Sequence, residues 1–367
     1  MVLPTGRPRT LLATAERRVS EALGEALRNG DADMARKIGE AIKGMPPRLS
    51  KEPLRVAALA LEDAMRSGHA EVVRACAEAI RPQPLKTQAE LLRGQALEDA
   101  MRRGHAEVVR AYAEAIRPQP LETQAELLKI RDTVLVDAMR NDHAEMVRAY
   151  SEAIRPQPPE TQAEMLTAKT YDRAVPAMFQ VLRYGRTEGM VAYMEAISPL
   201  PADAQVKLMG DRLAGNYLAR GMIICMEEGH AGTIREYCER ITQNKKLDPN
   251  QKVALLRSSI TFSSGTYFGL EKALANFSVM RAYMGPIIAD RQLDYTSKKT
   301  LLSLPREILR TASNAGNMEA VDFYKNAMES LELEELNAGV DVVRQKSDPG
   351  SSRNLNDRHE RDRVRAR

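Results

Sequence analysis

Along most of this chain apolar residues recur at spacings of three and four, and the pattern itself repeats. In HAEVVRAYAEAI the positions Val109, Tyr112 and Ile116 form one stripe of a helix. The stripe returns as Val73, Cys76 and Ile80, as Val147, Tyr150 and Ile154, as Met190, Tyr193 and Ile197, and as Ile234, Tyr237 and Ile241. This helix stops at Arg-Pro-Gln-Pro, because proline has no amide donor and restricts the residue before it. The second proline suits a first helical position. From there PLETQAELLKIRDTVLVDAMR predicts a second helical stretch of about two dozen residues, broken or kinked in some copies. In the longer copies Gly210 and Gly215 are expected to split it in two. A glycine, or Asp142, then ends the stretch as a C-terminal cap does. Strand alternation and Asn-Gly turns in series are missing.

The copies are anchored at Gly30, Gly68, Gly104, Asp142, Gly185, Gly229, Ala275 and Gly316, 36 to 46 residues apart. The Ala275 copy is the most diverged. One helix pair of this size cannot bury its stripe alone, so the copies must stack. The predicted fold is all-α: an α-solenoid of about eight helix-pair, partly three-helix, repeats over residues 15–335, with a concave surface. Residues 1–14 are expected to be a flexible segment. Residues 336–367, ending in KSDPGSSRNLNDRHERDRVRAR, are expected to be a disordered basic tail.

Composition narrows the function. With 43% hydrophobic residues among 367, the chain is not disordered throughout. Three cysteines without a CxxC argue against a disulfide framework and for a reducing compartment. No apolar run reaches the roughly 18 residues that a membrane helix needs, which predicts a soluble protein. The net charge of +4 sits at the ends. Residues 1–50 hold 9 Lys+Arg against 6 Asp+Glu and residues 344–367 hold 8 against 4, whereas 51–200 hold 20 against 22. A neutral body argues against a nucleic-acid partner. The N-terminus has no secretory h-region, and its arginine-bearing start fits a transit peptide, a non-cleaved secretion signal or a loose end equally.

Several residue columns recur at fixed repeat positions. His69, His105, His143 and His230 cannot chelate one metal, since neighbouring copies stand roughly 10 Å apart. They are expected at helix starts, bonding backbone in the turn. Arg36, Arg74, Arg110, Arg148, Arg235 and Arg281 precede a glutamate by four residues in five of six copies, which predicts weak ion pairs on a solvated face. The Tyr column (Tyr112, Tyr150, Tyr193, Tyr237, Tyr283, Tyr324) lies on the apolar stripe and is expected in the core, hydroxyls near its edge. A further row, Arg28, Arg66, Arg102, Arg140 and Arg183, stands two positions before the anchor. It reads either as cations favouring a helix C-terminus or as a ladder of guanidinium forks for carboxylates and phosphates. No P-loop, dinucleotide, zincin or serine-hydrolase motif occurs, and Cys225, His230 and Cys238 lack a third orienting group. No catalytic residue, metal site or cofactor is assigned.

The stretch LEDAMRRGHAEVVRAYAEAI resembles the helix pair of an ankyrin repeat. Leu97, Ala100, Gly104, His105, Val108 and Val109 fall on that family's positions, as do Leu61, Ala64, Gly68, His69, Val72 and Val73. The family's Thr-Pro and its Gly-Ala-Asp-Val-Asn finger are absent; Pro-x-Pro and an amphipathic helix stand instead. The lengthened repeat with His-Ala-Glu-x-Val-Arg-Ala-Tyr is similar to segments of effectors that Gram-negative bacteria inject into host cells. In ankyrin repeats the residues just before Gly-His face the partner. The resemblance thus implies that Arg66 and Ser67, Arg102 and Arg103, Arg140 and Asn141, and Arg183 and Tyr184, with Arg28 of the same row, contact a protein partner with an acidic surface. The expectation is a non-enzymatic interaction module acting in the bacterial or host cytoplasm. Its rivals are a nucleic-acid-binding array and an enzyme with a site in residues 245–300.

Overall fold

The computed structural model describes residues 25, 31–43, 51–167, 177–210, 215–258, 274–304 and 306–347. Among them every regular element is a helix, twenty in all, and no strand occurs. The chain divides into two compact units, 1–225 and 226–367. The first holds α1 (Ala32–Lys43), α2 (Lys51–Ser67), α3 (Ala70–Ile80), α4 (Leu85–Leu92), α5 (Ala96–Arg102), α6 (Ala106–Ile116), α7 (Leu121–Leu128), α8 (Asp132–Arg140), α9 (Ala144–Ile154), α10 (Pro159–Met165), α11 (Ala177–Arg183), α12 (Thr187–Ile197) and α13 (Ala202–Met209). Helix α14 (Gly215–Glu227) carries the boundary. The second unit holds α15 (Ala231–Gln243), α16 (Pro249–Ser258), α17 (Phe277–Ala289), α18 (Tyr295–Leu302), α19 (Arg306–Asn314) and α20 (Met318–Ser347). The last helix runs past residue 335, where the repeats were expected to end. Residues 1–14 and 348–367 lie outside the described residues.

Each anchor turn is built the same way. Gly68, Gly104, Gly185, Gly229 and Gly316 have φ between 61° and 84°, and Asp142 has φ 60°. The two following-residue bonds of a Schellman cap are present: the Gly104 amide donates to the Met101 carbonyl at 3.2 Å and the His105 amide to Ala100 at 2.9 Å. Gly30 lies outside the described residues. The Ala275 copy departs: among described non-glycines only Asp142 has positive φ, and there Asn276 caps α17 by accepting from the Ser278 amide.

The long stretch after the prolines is two helices even in the short copies, broken at Arg93–Gln95 and at Lys129–Arg131. Each of these repeats therefore contains three helices, whereas α2 runs unbroken from Lys51 to Ser67. Gly210 and Gly215 do mark such a break, the first ending α13 and the second opening α14. The second proline of each Pro-x-Pro is the N-cap rather than the first helical residue. Pro84, Pro120, Pro158 and Pro201 hold φ near −55° with ψ of 143° to 150°. Their carbonyls already accept the first helical bond, from Gln88, Gln124, Gln162 and Gln205.

Those four glutamines lock the turn. The Gln124 side-chain amide donates to the Arg117 and Gln119 carbonyls at 3.1 and 2.7 Å. Gln88, Gln162 and Gln205 do the same in their own turns. Like helices stack on like in the first unit. The helices after the anchor pack in series as α1, α3, α6, α9 and α12, and those before it as α2, α5, α8 and α11. Between the layers lie Val73, Val109, Val147, Met101, Met139 and Tyr150, none of them exposed.

Candidate functional site

The arginine row before the anchors is held by carboxylates of its own repeats. Arg66 Nε lies 3.1 Å from Asp99 of the next repeat, and its Nη atoms meet Asp63 and Glu62. One repeat on, Arg102 meets Asp137 at 3.4 Å, Asp99 at 3.8 Å and Glu98 at 3.7 Å. Asp99 thus bridges Arg66 and Arg102, and Asp137 bridges Arg102 and Arg140. Bonding to Asp99, followed by the other acidic neighbours, raises the Arg66 pKa against the effect of burial. The recurring Glu-Asp of LEDAMR was the signal for these partners.

The acidic supply thins along the row. Among the described residues Arg140 keeps only Asp137, at 3.5 Å, and its side chain is 50% exposed. Arg183 has no ion pair among the described residues; its guanidinium sits 5.4 Å from the ring of Tyr184, itself 42% exposed. Ser67, Arg103 and Asn141 are exposed as well, although Arg103 donates to the Arg66 carbonyl at 2.9 Å. Arg28 lies outside the described residues. Of the nine sequence-predicted contact residues, the structure groups eight beside successive anchor turns and leaves Arg140, Asn141, Arg183 and Tyr184 least engaged.

The second arginine column does not pair as expected. Among the described residues none of its members meets the glutamate four residues on. Arg110 instead reaches Glu107, three residues back, at 2.6 Å, and Glu145 and Glu152 of the next repeat at 3.2 Å each. Arg148 likewise meets Glu145, Glu188 and Glu195, and Arg74 meets Glu71, Glu107 and Glu114. The reason is geometric: helical side chains lean toward the N-terminus, so arginine before glutamate is the poorer order. A stacked helix offers the nearer carboxylate.

The histidines are helix N-caps, as expected of helix starts, but their rings make no capping bond. Backbone does the capping, with the His105 carbonyl accepting from Val108 and Val109. The His105 and His143 rings pack between repeats instead. A Cβ added to Gly104 would stand 2.8 Å from His143 Nδ1, and one on Gly68 would stand 3.0 Å from the His105 ring. Among the described residues no group of His, Cys, Asp and Glu can hold a metal.

The tyrosine hydroxyls are deep rather than at the core's edge. Tyr112, Tyr150 and Tyr193 donate to the carbonyls of Leu92, Leu128 and Leu166 at 2.9 to 3.1 Å. The Leu92 and Leu128 carbonyls end the helix before a break, where no helical donor follows. Burial raises the pKa of all three phenols.

Cys76, Cys225 and Cys238 are free and buried. Burial pushes the Cys76 and Cys225 thiols up to about 12, which keeps them protonated. Residues 245–300, the region of the enzymatic reading, contribute to a cavity of about 760 Å³ lined by Arg235, Glu239, Lys245, Arg281, Asp290 and Arg291 among others. Its one lining hydroxyl, Thr242, donates back to its own helix at Cys238. No helix of the described residues is long and apolar enough to cross a membrane. Comparison with protein-family models finds no match, and comparison with curated proteins finds no relative.

Proposed function

We propose that this chain is a non-enzymatic interaction module that binds an acidic protein surface through Arg140, Asn141, Arg183 and Tyr184. One observation carries the reading: among the described residues the row's charge is neutralised internally at Arg66 and Arg102 but not at Arg183, where a guanidinium adjoins an exposed tyrosine. Arginine and tyrosine are the side chains most often found as interface anchors. The flanking turns are cross-bonded, so the surface loses little entropy on binding. That the partner is a host-cell protein met after secretion rests on the effector resemblance alone.

The test is affinity capture with wild type and Arg140→Glu/Arg183→Glu/Tyr184→Ala, after circular dichroism shows equal helicity. A partner held by wild type and lost by the variant supports the surface. Equal capture by both ends the proposal. A nucleic-acid ligand would be recognised by steep loss of binding between 50 and 200 mM salt, on the order of a thousandfold for several phosphate contacts.

A further inference from the structure

In the second unit the arginine column changes character. Arg235 on α15 and Arg281 on α17 hold the repeat positions of Arg74, Arg110 and Arg148, and α15 packs against α17 as α6 packs against α9. In the first unit Arg74, Arg110 and Arg148 are each met by a glutamate three residues back and by two on the next helix. Carried to Arg235, those three positions are Gly232, Ser278 and Gly285. All three carboxylates are gone. Neither Arg235 nor Arg281 makes an ion pair among the described residues, and both are exposed where Arg74, Arg110 and Arg148 are only partly so.

The missing side chains leave space. A Cβ on Gly232 or Gly285 would meet nothing within 4 Å, and Gly285 lines the 760 Å³ cavity with Arg235, Arg281, Lys245 and Arg291. Two carboxylates share the lining, Glu239 and Asp290. Asp290 is buried and committed to Lys252 Nζ at 3.0 Å. Among the described residues four cations of the lining therefore face one available carboxylate.

We propose that this cavity is a binding site for a small phosphate-bearing ligand. A phosphate oxygen takes the place that Glu114 and Glu152 fill at 3.2 Å from Arg74 and Arg110 Nε. One carboxylate of the first unit, Glu107, already spans two successive arginines of the column. A phosphate offers that bridging with an extra oxygen and nearly twice the charge, which suits guanidinium forks that have lost three glutamates. The side-chain amides of Gln243 and Gln292 line the same space.

Isothermal titration of the full chain with inorganic pyrophosphate, and separately with citrate of comparable charge, tests this. Wild type should bind pyrophosphate at least tenfold more tightly than citrate. Arg235→Gln/Arg281→Gln should weaken pyrophosphate at least tenfold. Gly285→Glu, which returns the carboxylate to its repeat position, should do the same, while Gly285→Ala should bind like wild type. The two glutamine substitutions are at exposed side chains, so they remain informative if a side chain before Pro286 disturbs α17. Failure of pyrophosphate to bind, equal binding by the double variant, or a preference for citrate would each overturn the proposal. None of these outcomes touches the Arg183 surface, which lies in the other unit.

Discussion

The Tyr150 hydroxyl, wholly buried, donates to the Leu128 carbonyl at 3.1 Å. That bond joins the helix after one anchor to the break before it, and Tyr112 and Tyr193 repeat it. Cys76 takes the tyrosine's place in one copy, and there the preceding helix, α2, has no break. Tyr237 departs from the pattern, donating instead to the Leu255 carbonyl on the helix that follows it, at 3.3 Å.

Tyr150→Phe should therefore cost about 1–2 kcal/mol, because a buried carbonyl loses its donor while the ring stays packed. Cys76→Tyr should also destabilise, by about 1–3 kcal/mol, since it adds volume and a hydroxyl beside an unbroken helix. Guanidinium denaturation followed by circular dichroism measures both. A neutral Tyr150→Phe would separate the bond from the stability of the break.

Gly104 faces two constraints, a φ of 76° and the His143 ring at 2.8 Å from any added Cβ. Gly104→Ala should lose more than the about 1 kcal/mol usual for a left-handed alanine. Removing the ring with His143→Ala should recover part of the excess in a double-mutant cycle. Strict additivity of the two would refute the contact.

Lys252 is fully buried and bonds Asp290 at 3.0 Å, Gln292 at 2.6 Å and the Thr242 carbonyl. It occupies the turn-locking position that glutamine holds in the first unit. Lys252→Met strands a buried carboxylate and should cost about 3–5 kcal/mol, whereas Lys252→Met/Asp290→Asn should cost much less. Thermal melts of the two variants, compared with wild type, decide it.

Acid should weaken the ladder of the first unit. Hydrogen bonding from Arg148, then from Arg110, lowers the Glu145 pKa below its ordinary 4.5. A lowered folded-state pKa contributes stability above pH 4.5 that is lost as pH falls through the folded value. The midpoint of denaturation should drop below that pH, less so in Glu145→Gln, and salt should shrink the difference. An acid profile unchanged by the substitution would show the pair to be energetically silent.

Much of this architecture is legible in one dimension. The stripe of Val109, Tyr112 and Ile116 needs only helical periodicity, and Gly104 stands where a left-handed residue must. Asp142 could be placed at its turn because the neighbouring copies align it with glycine. The break at Lys129–Arg131 was harder to see, as no glycine or proline marks it. Its position is held from outside, by Tyr150 on Leu128 and by Glu98, which accepts from the Arg131 amide at 3.1 Å and pairs with its guanidinium.

The candidate surfaces divide in the same way. Sequence alone determined the helical repeat, its anchor turns and the two arginine columns, because local backbone preference and recurrence are properties of a single strand of residues. Which carboxylate meets which arginine was decided only by stacking. Arg110 ignores Glu114 on its own helix for Glu152 on the next, and Arg235 stands beside space that Gly285 fails to fill. Such choices depend on distances between helices, set by how side chains of neighbouring repeats pack, and no spacing along the chain encodes them directly.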